Sequence, residues 1–435
     1  MDRLKQAVCA VIDENREKIL QIGKQILHHP ELGYKEKKTS ALVNTLFQEL
    51  GLSDITHHAV TGVKAWGRGR SRKASVAVIG ELDAVLSPAH PCADPVTGAA
   101  HSCGHNTQIA AMIGCAVGLL YSRVLEGLDG DVCFFATPAE EYVEIEYRKQ
   151  LIKEGKVSYL GGKQELIATG AFDDIDMAMM THSETNAPVP RVVVEGDAMG
   201  FIGKTVHFIG KEAHAGGAPH EGVNALNAAV LAIAAINAQR ETFRDCDSVR
   251  VHPIITKGGD LVNIVPADVR MESYVRAGNI GAMQSANRKV NRAIEGASYA
   301  IGTQVEIDDM IGYLPLRQSS PMSGLFAKNT AELLGEKTVF SKLPFAGSTD
   351  MGDLGFFLPV IQPTISGFSG NAHSKDFTVT DEEMAYIIPA KLMAMTVIDL
   401  LSNGAENAAD VIKSQPKKTK EEYAAAWQDI LHQTK

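Results

Sequence analysis

Ser75-Val76-Ala77-Val78-Ile79-Gly80-Glu81-Leu82-Asp83 joins a run of small and apolar residues to two acidic ones. A run without polar alternation is typical of a strand that is buried on both faces. Such strands belong to open, mostly parallel sheets, in which ligands bind at the rim formed by the carboxyl ends of the strands. The stretch therefore predicts an α/β protein with Glu81 and Asp83 at that rim.

Two further stretches repeat this pattern. The strand predicted at Val132–Ala136 leads to Glu140 and Glu141, and the strand predicted at Met177–Met180 leads to His182. Because the carboxyl ends of parallel strands lie at one rim, we expect these polar side chains to lie close together.

The stretch His101-Ser102-Cys103-Gly104-His105-Asn106 places a thiol and an imidazole on either side of one glycine. Gly104 has no Cβ and can adopt backbone angles that turn Cys103 and His105 toward one point, which is a metal-ligand spacing. Taken alone, the pair is more often a buried cysteine beside a loop histidine, and Cys103 could also be a nucleophile paired with His105. The neighbouring polar clusters favour metal.

His373, which follows another predicted strand around Val360–Ile365, completes a set of five candidate metal ligands. The set comprises Cys103, His105, Glu141, His182 and His373. These are too many for one tetrahedral ion with an open position, so two metals are predicted. Two metals can polarise an amide carbonyl and stabilise the oxyanion that follows. Glu140 is then available as the general base that passes a proton to the leaving nitrogen. Asp83 suits a carboxylate that orients a ligand histidine or supports the metal pair.

The chain has 435 residues, more than one hydrophobic core usually supports, so two domains are predicted. From about residue 200 the pattern becomes β-α-β-β-α-β, which is the split, ferredoxin-like arrangement. We therefore predict a mostly parallel sheet sandwiched by helices in a discontinuous catalytic domain, residues 1–197 and 313–435. A lid domain, residues 198–312, is inserted in it.

The amino-acid composition argues against some classes of binding partner. The net charge is −10 and the 42 Lys and Arg residues are scattered, which argues against binding to nucleic acid or to a membrane surface. Six cysteines in a chain of this length do not make a disulfide scaffold, so a reducing compartment is expected. The N-terminus is amphipathic and charged and lacks the apolar core of a signal peptide. A cytoplasmic enzyme acting on a small molecule is the resulting prediction.

The sequence resembles the M20 metallopeptidase family, and within it the amidohydrolase branch that contains aminoacylase-like, hippurate-hydrolase-like and auxin-conjugate hydrolases. The resemblance spans roughly residues 29–401. Its motifs are His29-Pro30-Glu31-Leu32-Gly33, Leu82-Asp83-Ala84, Cys103-Gly104-His105, Pro138-Ala139-Glu140-Glu141, Ala213-His214 with Pro219-His220, Gly258 to Asn263 with Pro266, Gly347-Ser348-Thr349-Asp350, and His373.

The resemblance implies the same five ligands and Glu140 as the base, with Mn, Zn or Co as the ion. It also implies that the lid forms a homodimer and that His214 reaches the site of a neighbouring subunit. Asn263 and Arg276 are implied as contacts to the substrate carboxylate or the oxyanion, and the Gly347, Ser348, Thr349 loop as part of the substrate site. The guanidinium of Arg276 suits a planar carboxylate, although a salt bridge at the end of a lid strand would also account for it.

Three departures from the family pattern are expected to border the site and to affect acyl-side specificity. Asn106 stands where the branch usually has Asp, 87–100 is longer than usual, and 142–163 replaces a short Gly-rich turn.

The predicted function is a two-metal amidohydrolase that releases an amino acid from an N-acyl amino acid or a small conjugate. A dipeptidase of the same family is the alternative, with Glu81, Glu144 or Glu184 binding the substrate amine. A non-catalytic metal-binding or scaffold subunit is the alternative from another class. Glu140 argues against it, since a binding protein needs no general base.

Overall fold

The computed structural model describes residues 1–343 and 347–432. Its strands, in chain order, are β1 (Ser53–His58), β2 (Gly62–Gly67), β3 (Ser75–Glu81), β4 (Val85–Leu86), β5 (Ala99–Ala100), β6 (Asp131–Thr137), β7 (Met177–Met179), β8 (His182–Thr185), β9 (Val192–Val194), β10 (Gly200–Ile209), β11 (Arg250–Lys257), β12 (Asp268–Ala277), β13 (Gln304–Tyr313), β14 (Val339–Ser341), β15 (Val360–Ile361), β16 (Thr364–Ser369) and β17 (Thr378–Val379). Its α-helices are α1 (Arg3–Glu14), α2 (Arg16–Leu27), α3 (Lys37–Glu49), α4 (His105–Tyr121), α5 (Ile145–Lys153), α6 (Gly162–Ala168), α7 (Ala225–Ala238), α8 (Ile280–Ile301), α9 (Ser320–Leu334), α10 (Met351–Phe357), α11 (Ile388–Leu401), α12 (Glu406–Ser414) and α13 (Lys420–His432).

The central sheet has the strand order β1-β2-β6-β3-β7-β15. Strands β6, β3, β7 and β15 are parallel to one another, whereas β2 is antiparallel to β6 and β1 is antiparallel to β2. Every residue of β3 and β6 is buried, as the continuous apolar runs predicted. Helix α4 packs against β3, and α1, α2 and α11 pack against α4. The predicted α/β class with a mostly parallel sheet is confirmed.

The helix at Glu383–Leu401 is long and apolar enough to cross a membrane, but 94% of its apolar stretch is buried inside the protein. It is therefore a core helix. Its first part, Glu383–Ile387, is a π-helical turn, and α11 follows with Pro389 in its first turn. A proline in the sequence of a helix predicts a kink, and here the irregularity is the π-helical turn before Pro389, because proline has no N–H for the preceding turn.

Two predicted elements are wrong in their limits. Apolar residues recur near a 3.6-residue period over residues 2–25 and predict one helix there. That helix is interrupted at Asn15, where α1 ends and α2 begins. The strand expected around 360–365 is two strands, β15 and β16, which belong to different sheets. Pro363 lies between them and cannot donate to a sheet ladder, so the chain leaves one sheet there and joins the other.

The second of these sheets has the order β14-β9-β16-β17, and β8 pairs with β16 in parallel. His182 therefore begins a strand of its own instead of ending β7. Its backbone N–H donates to the carbonyl of Pro363 over 2.9 Å.

The chain forms two compact units. The first contains Met1–Asp197, Arg317–Phe345 and Asp353–Lys420, and the second contains Ala198–Leu316, Ala346–Gly352 and Glu421–Lys435. The predicted domain limits stay a prediction, because compactness alone does not show that either part folds by itself.

Within the second unit, β10, α7, β11, β12, α8 and β13 follow one another in the predicted β-α-β-β-α-β order. Their sheet has the order β11-β12-β10-β13, with every pairing antiparallel. Helices α7 and α8 pack against it around a core that includes Phe208, Ile236 and Met271. The ferredoxin-like arrangement of this segment is confirmed.

Candidate metal centre

The loop that enters α4 presents Cys103 and His105. Gly104 occupies the N-cap position of α4 with φ 91°, in the left-handed region, as its place between two ligand-type residues predicted. A Cβ at this position would lie 3.1 Å from the Cβ of Ser183, next to His182. Glycine thus brings the loop close to β8.

Two triads of ligand atoms meet at Cys103. One comprises Cys103, His105 and His182, and the other comprises Cys103, Glu141 and His373. Within each triad the ligand atoms all lie within 4.8 Å of one another. The structure thus brings together all five predicted ligands, with the thiol in both groups.

The electrostatic surroundings favour a thiolate at Cys103. Burial raises the pKa of this thiol, but the nearby imidazoles of His182 and His105 outweigh burial and hold the pKa well below its usual range. The Cys103 Sγ lies 3.4 Å from His182 Nε2. The thiolate is the form of cysteine that binds metal.

Hydrogen bonds direct the Nε2 atoms of two histidines toward the triads. The Nδ1 of His105 lies 2.8 Å from the backbone carbonyl of Asp83, and the Nδ1 of His182 lies 3.1 Å from the carbonyl of Ser183. A carbonyl can only accept, so each Nδ1 carries a proton, and once the ring is neutral the lone pair that binds metal is on Nε2.

Asp83 supports two ligands at once. Its carbonyl fixes His105, while its carboxylate Oδ2 accepts the backbone N–H of Glu141 over 2.9 Å. Its carboxylate Oδ1 is 3.4 Å from His105 Nδ1. The predicted role of orienting a ligand histidine is therefore carried largely by the backbone of Asp83.

The ligand atoms fit bound cations. Among the described residues, His105 Nε2 and Glu141 Oε1 are buried and have no hydrogen-bond partner. Glu81 Oε2 nevertheless lies 3.1 Å from His105 Nε2, and His373 Nε2 lies 3.1 Å from Glu141 Oε1. Buried polar atoms are rarely left unbonded, and close approach without hydrogen-bond geometry is expected when the atoms converge on a shared ion. Thiolate, imidazole and carboxylate are together the donor set of Zn, Mn and Co sites.

Glu140 lies beside this group. It is 7% exposed, and its Oε2 is 4.0 Å from His105 Nε2. The Glu140 carboxylate also lies with the carboxylate of Glu81 and the imidazole of His105 in a third group of ligand-type atoms. Glu140 thus adjoins the ligands without belonging to either triad at Cys103, as a general base must.

Sequence reasoning missed the surroundings of Glu81. This fully buried carboxylate accepts hydrogen bonds from Lys163 Nζ over 2.6 Å and from Gln108 Nε2 over 3.0 Å. Lys163 is itself fully buried. Because the partner lies far away in the sequence, no local pattern marks this lysine.

The acidic residues suggested for an amine pocket are already paired. Glu81 binds Lys163, Glu144 binds Lys35 through both oxygens, and Glu184 binds Arg191. An amine-binding role for these three residues stays a prediction, and each carboxylate would have to share its cation or give it up to fulfil that role.

The remaining predicted residues lie in the second unit, in two groups. The backbone carbonyl of Asn263 accepts the N–H of Ala215, so Asn263 adjoins the loop of His214. Arg276 donates to Ser348 Oγ over 2.7 Å, and the neighbouring carbonyl of Gly347 accepts the N–H of Met199. Thr349 is only 4% exposed, and its hydroxyl accepts the N–H of Met351 at the start of α10.

Known proteins share this architecture. The sequence family described as a peptidase dimerisation domain matches residues 198–302. The chain is 30% identical to a human Xaa-Arg dipeptidase over 427 residues, which cover 92% of this chain and 88% of that protein.

The chain belongs to the M20 metallopeptidase family. It is 24% identical to an N-acyl-L-amino acid amidohydrolase from Geobacillus stearothermophilus, over 72% of this chain and 81% of that one. A Bacillus subtilis structure described as a dinuclear metal-binding peptidase of the M20 family has a TM-score of 0.69 at 21% identity, covering 89% of this chain and 99% of that one. Membership confirms the predicted reaction class, hydrolysis of amide or peptide bonds, and the two triads supply ligands for the predicted metals.

Replacing Cys103 by Ser should weaken metal binding, because a hydroxyl is a much poorer ligand than a thiolate. Loss of a group that only supports a metal ligand usually weakens metal affinity by about tenfold or more. Because Cys103 is itself a predicted ligand, we expect a loss of at least that size. Elemental analysis of stripped and reloaded protein measures it. Cys115→Ser is the matched control, since Cys115 is a buried thiol on α4 with its pKa raised by burial. An unchanged metal content in Cys103→Ser would instead favour Cys103 as a nucleophile or as a buried core residue.

Proposed function

We propose that this M20 enzyme hydrolyses the amide bond between an acyl or aminoacyl group and an amino acid that carries a free carboxylate. The observation that carries the proposal is the pair of triads sharing Cys103, with Glu140 next to the ligand Glu141. We further propose two divalent ions, Mn, Zn or Co, since the donors combine soft sulfur with imidazole and carboxylate.

The chain's own residues account for proton movement. Bound metals would supply the polarisation of the scissile carbonyl and a lowered pKa for the attacking water. Glu140 takes the proton of that water and hands it to the leaving nitrogen. During this proton transfer Asp83 holds His105 and Glu141 in position through the two hydrogen bonds described above.

Two substrate classes fit this chemistry. An N-acyl amino acid presents an acyl group with no charge, whereas a dipeptide presents an ammonium. The relative named Xaa-Arg dipeptidase supports the second class, and the amidohydrolase relative supports the first. The pairing of Glu81, Glu144 and Glu184 with cations favours the uncharged acyl group.

A substrate panel decides between these classes. Metal-stripped protein is given Mn, Zn or Co and assayed on N-acyl amino acids and on dipeptides, including some that end in arginine. We expect turnover only after metal is restored, and a reduction of roughly 10²- to 10⁴-fold in Glu140→Gln with metal content unchanged. Absence of turnover on every substrate, with both metals bound, would support the non-catalytic alternative.

Arg276 is suited to bind the substrate carboxylate. Its Nη1 donates to Ser348 Oγ over 2.7 Å, and its Nε donates to His252 Nε2 over 3.2 Å. The guanidinium lies 5.4 Å from the ring of Phe201 and 5.5 Å from that of Tyr274. Within the described residues it forms no ion pair with Asp or Glu, and burial lowers its pKa. A positioned and uncompensated cation is what a carboxylate ligand requires.

Replacing Arg276 by Ala should raise KM for substrates with a free carboxylate, by the equivalent of about 1.5–3 kcal/mol for a charged hydrogen bond. The matching amides or esters should lose much less. Steady-state kinetics on carboxylate and ester pairs measures the difference. Equal losses for both members of a pair would make Arg276 structural.

His214 is arranged to donate a hydrogen bond. The backbone N–H groups of Gly216 and Gly217 both point at its Nδ1, at 3.2 and 2.9 Å. Nδ1 is therefore the acceptor, so a neutral ring carries its proton on Nε2, which is free to donate outward. The residue is exposed on its loop. We propose that this N–H stabilises the oxyanion of a partner subunit's substrate.

A homodimer through the second unit would allow this. Among the described strands, β11 is an edge strand that pairs only with β12. Ile254 on that strand is 61% exposed, and Val230 and Leu231 on the adjacent α7 are 55% and 39% exposed. An unpaired edge with apolar neighbours supports pairing with a second copy about a two-fold axis.

Complementation tests the trans role. Glu140→Ala and His214→Ala are each expected to be inactive, but a mixed dimer contains one site with both Glu140 and the partner's His214. Activity should reappear when the two variants are refolded together. Inactivity despite demonstrated mixed dimers, with each variant still binding metal, would show that His214 acts within its own chain or does not act.

A further inference from the structure

The turn that presents Glu140 and Glu141 contains a residue in a rarely occupied conformation. Ala139 has φ 53°, in the left-handed region, and is fully buried. Residues with a Cβ avoid this region, and they persist there only where the surroundings hold them. Because Ala139 directly precedes Glu140, its conformation sets the direction in which both glutamates leave β6.

Glu36 holds the amide side of this residue. Its Oε1 accepts the N–H of Ala139 over 2.8 Å, and its Oε2 accepts the hydroxyl of Thr61 over 2.6 Å. The carboxylate of Glu36 is fully buried, just before α3.

Arg148 holds the carbonyl side. Its Nη1 donates to the carbonyl of Ala139 over 3.3 Å and to that of Leu160 over 2.7 Å, while its Nη2 donates to the carbonyl of Glu141. The side chain is fully buried. A planar guanidinium with a rigid fork of donors can bind three carbonyls at once, which a lysine cannot do in the same geometry. Arg148 comes from α5, within the segment 142–163 that replaces the family's short turn.

The early motif of the sequence makes room for this arginine. A Cβ on Gly33 would lie 2.3 Å from Arg148 Nη2 and 2.9 Å from the Cα of Ala139, so only glycine fits there. The ring of Tyr34 lies 5.5 Å from the guanidinium carbon. Gly33 and Tyr34, which have no part in the chemistry described above, thus form the wall behind Arg148.

We propose that Glu36 and Arg148 are positioning residues that clamp the backbone on both sides of Ala139. The clamp directs the carboxylate of Glu140 toward the reacting water and that of Glu141 toward its metal. This role of the clamp in catalysis rests on the proposed function. The competing interpretation is that Arg148 only anchors α5 to the protein. The two interpretations differ in whether loss of the guanidinium changes the Glu140–Glu141 turn or only the stability.

Arginine variants separate these interpretations. We expect Arg148→Met to lower kcat by roughly 10- to 100-fold and to weaken metal binding, the range usual for groups that support metal ligands, with KM changed far less. Arg148→Lys, which keeps one charged donor, should recover part of the loss. The control is Lys5→Met, because Lys5 is also a buried cation of the first unit and binds Asn329 and Asp399, which have no role at the metal centre. Lys5→Met should lower the unfolding midpoint while kcat stays unchanged.

Glu36 variants test the other side of the clamp and serve if Arg148→Met fails to fold. Glu36→Ala removes the acceptor for the Ala139 N–H and should lower kcat. Glu36→Gln keeps an amide oxygen in that place and should recover most of the loss. Equal losses in the two variants would show that the charge of Glu36, and not the clamp, is what matters.

Hydrogen exchange of the peptide that spans Ala139 to Glu141 gives a readout without turnover. Exchange in Arg148→Met and Glu36→Ala should be faster than in the original protein and in Lys5→Met. If the original protein hydrolyses no substrate, the proposed function is wrong. Hydrogen exchange and metal affinity still test whether Glu36 and Arg148 hold the Glu140–Glu141 turn. Unaltered exchange and metal affinity in both clamp variants would overturn it.

Discussion

The structure depends on the burial of several ionisable groups at one rim of its central sheet. Glu81 and Asp83 are fully buried, and Cys103 and Glu141 are each 6% exposed. Like charges this close repel strongly where water is scarce, so the arrangement is stable only if cations or imidazoles balance it. Lys163 balances Glu81, and the remaining thiolate and carboxylates face His105, His182 and His373. Bound divalent metals would complete the balance for the thiolate and carboxylate ligands.

Rigid elements give this rim its geometry. The ligands lie in the loop and first turn of α4, after β6, at the start of β8 and after β16. Hydrogen bonds that involve the backbone hold four of them, His105, Glu141, His182 and His373, to a neighbouring segment. Asp83 joins two of them, since one residue binds His105 and Glu141. Preorganisation of this kind lowers the cost of assembling the ligands when metal binds. For this reason we expect residues without direct contact to substrate to affect turnover.

Much of this was predictable from the sequence because the signals are local. Buried strands with polar residues at their ends, the glycine between Cys103 and His105, and the β-α-β-β-α-β order each follow from a short window. The buried partners Lys163 and Arg148 were not predictable, since each pairs with residues that only the fold brings near. Pro363 carried a usable signal that was missed, because a proline within an expected strand marks its interruption. Asn106 was expected to border the site, and it directly follows the ligand His105. Its amide donates to the carbonyl of Gly23 and the hydroxyl of Tyr386, contacts between helices that the sequence did not indicate, and an effect of Asn106 on specificity stays a prediction.

Because Cys103 belongs to both triads, we propose that it is a ligand common to two metals. Anomalous X-ray diffraction from crystals of the full chain loaded with Mn or Zn measures it most directly, because it locates each ion and its donors. We predict two anomalous peaks per chain, one bound by His105 and His182 and the other by Glu141 and His373, with Cys103 Sγ bound to both. A single peak at full loading, or two peaks that Cys103 does not touch, would contradict the account.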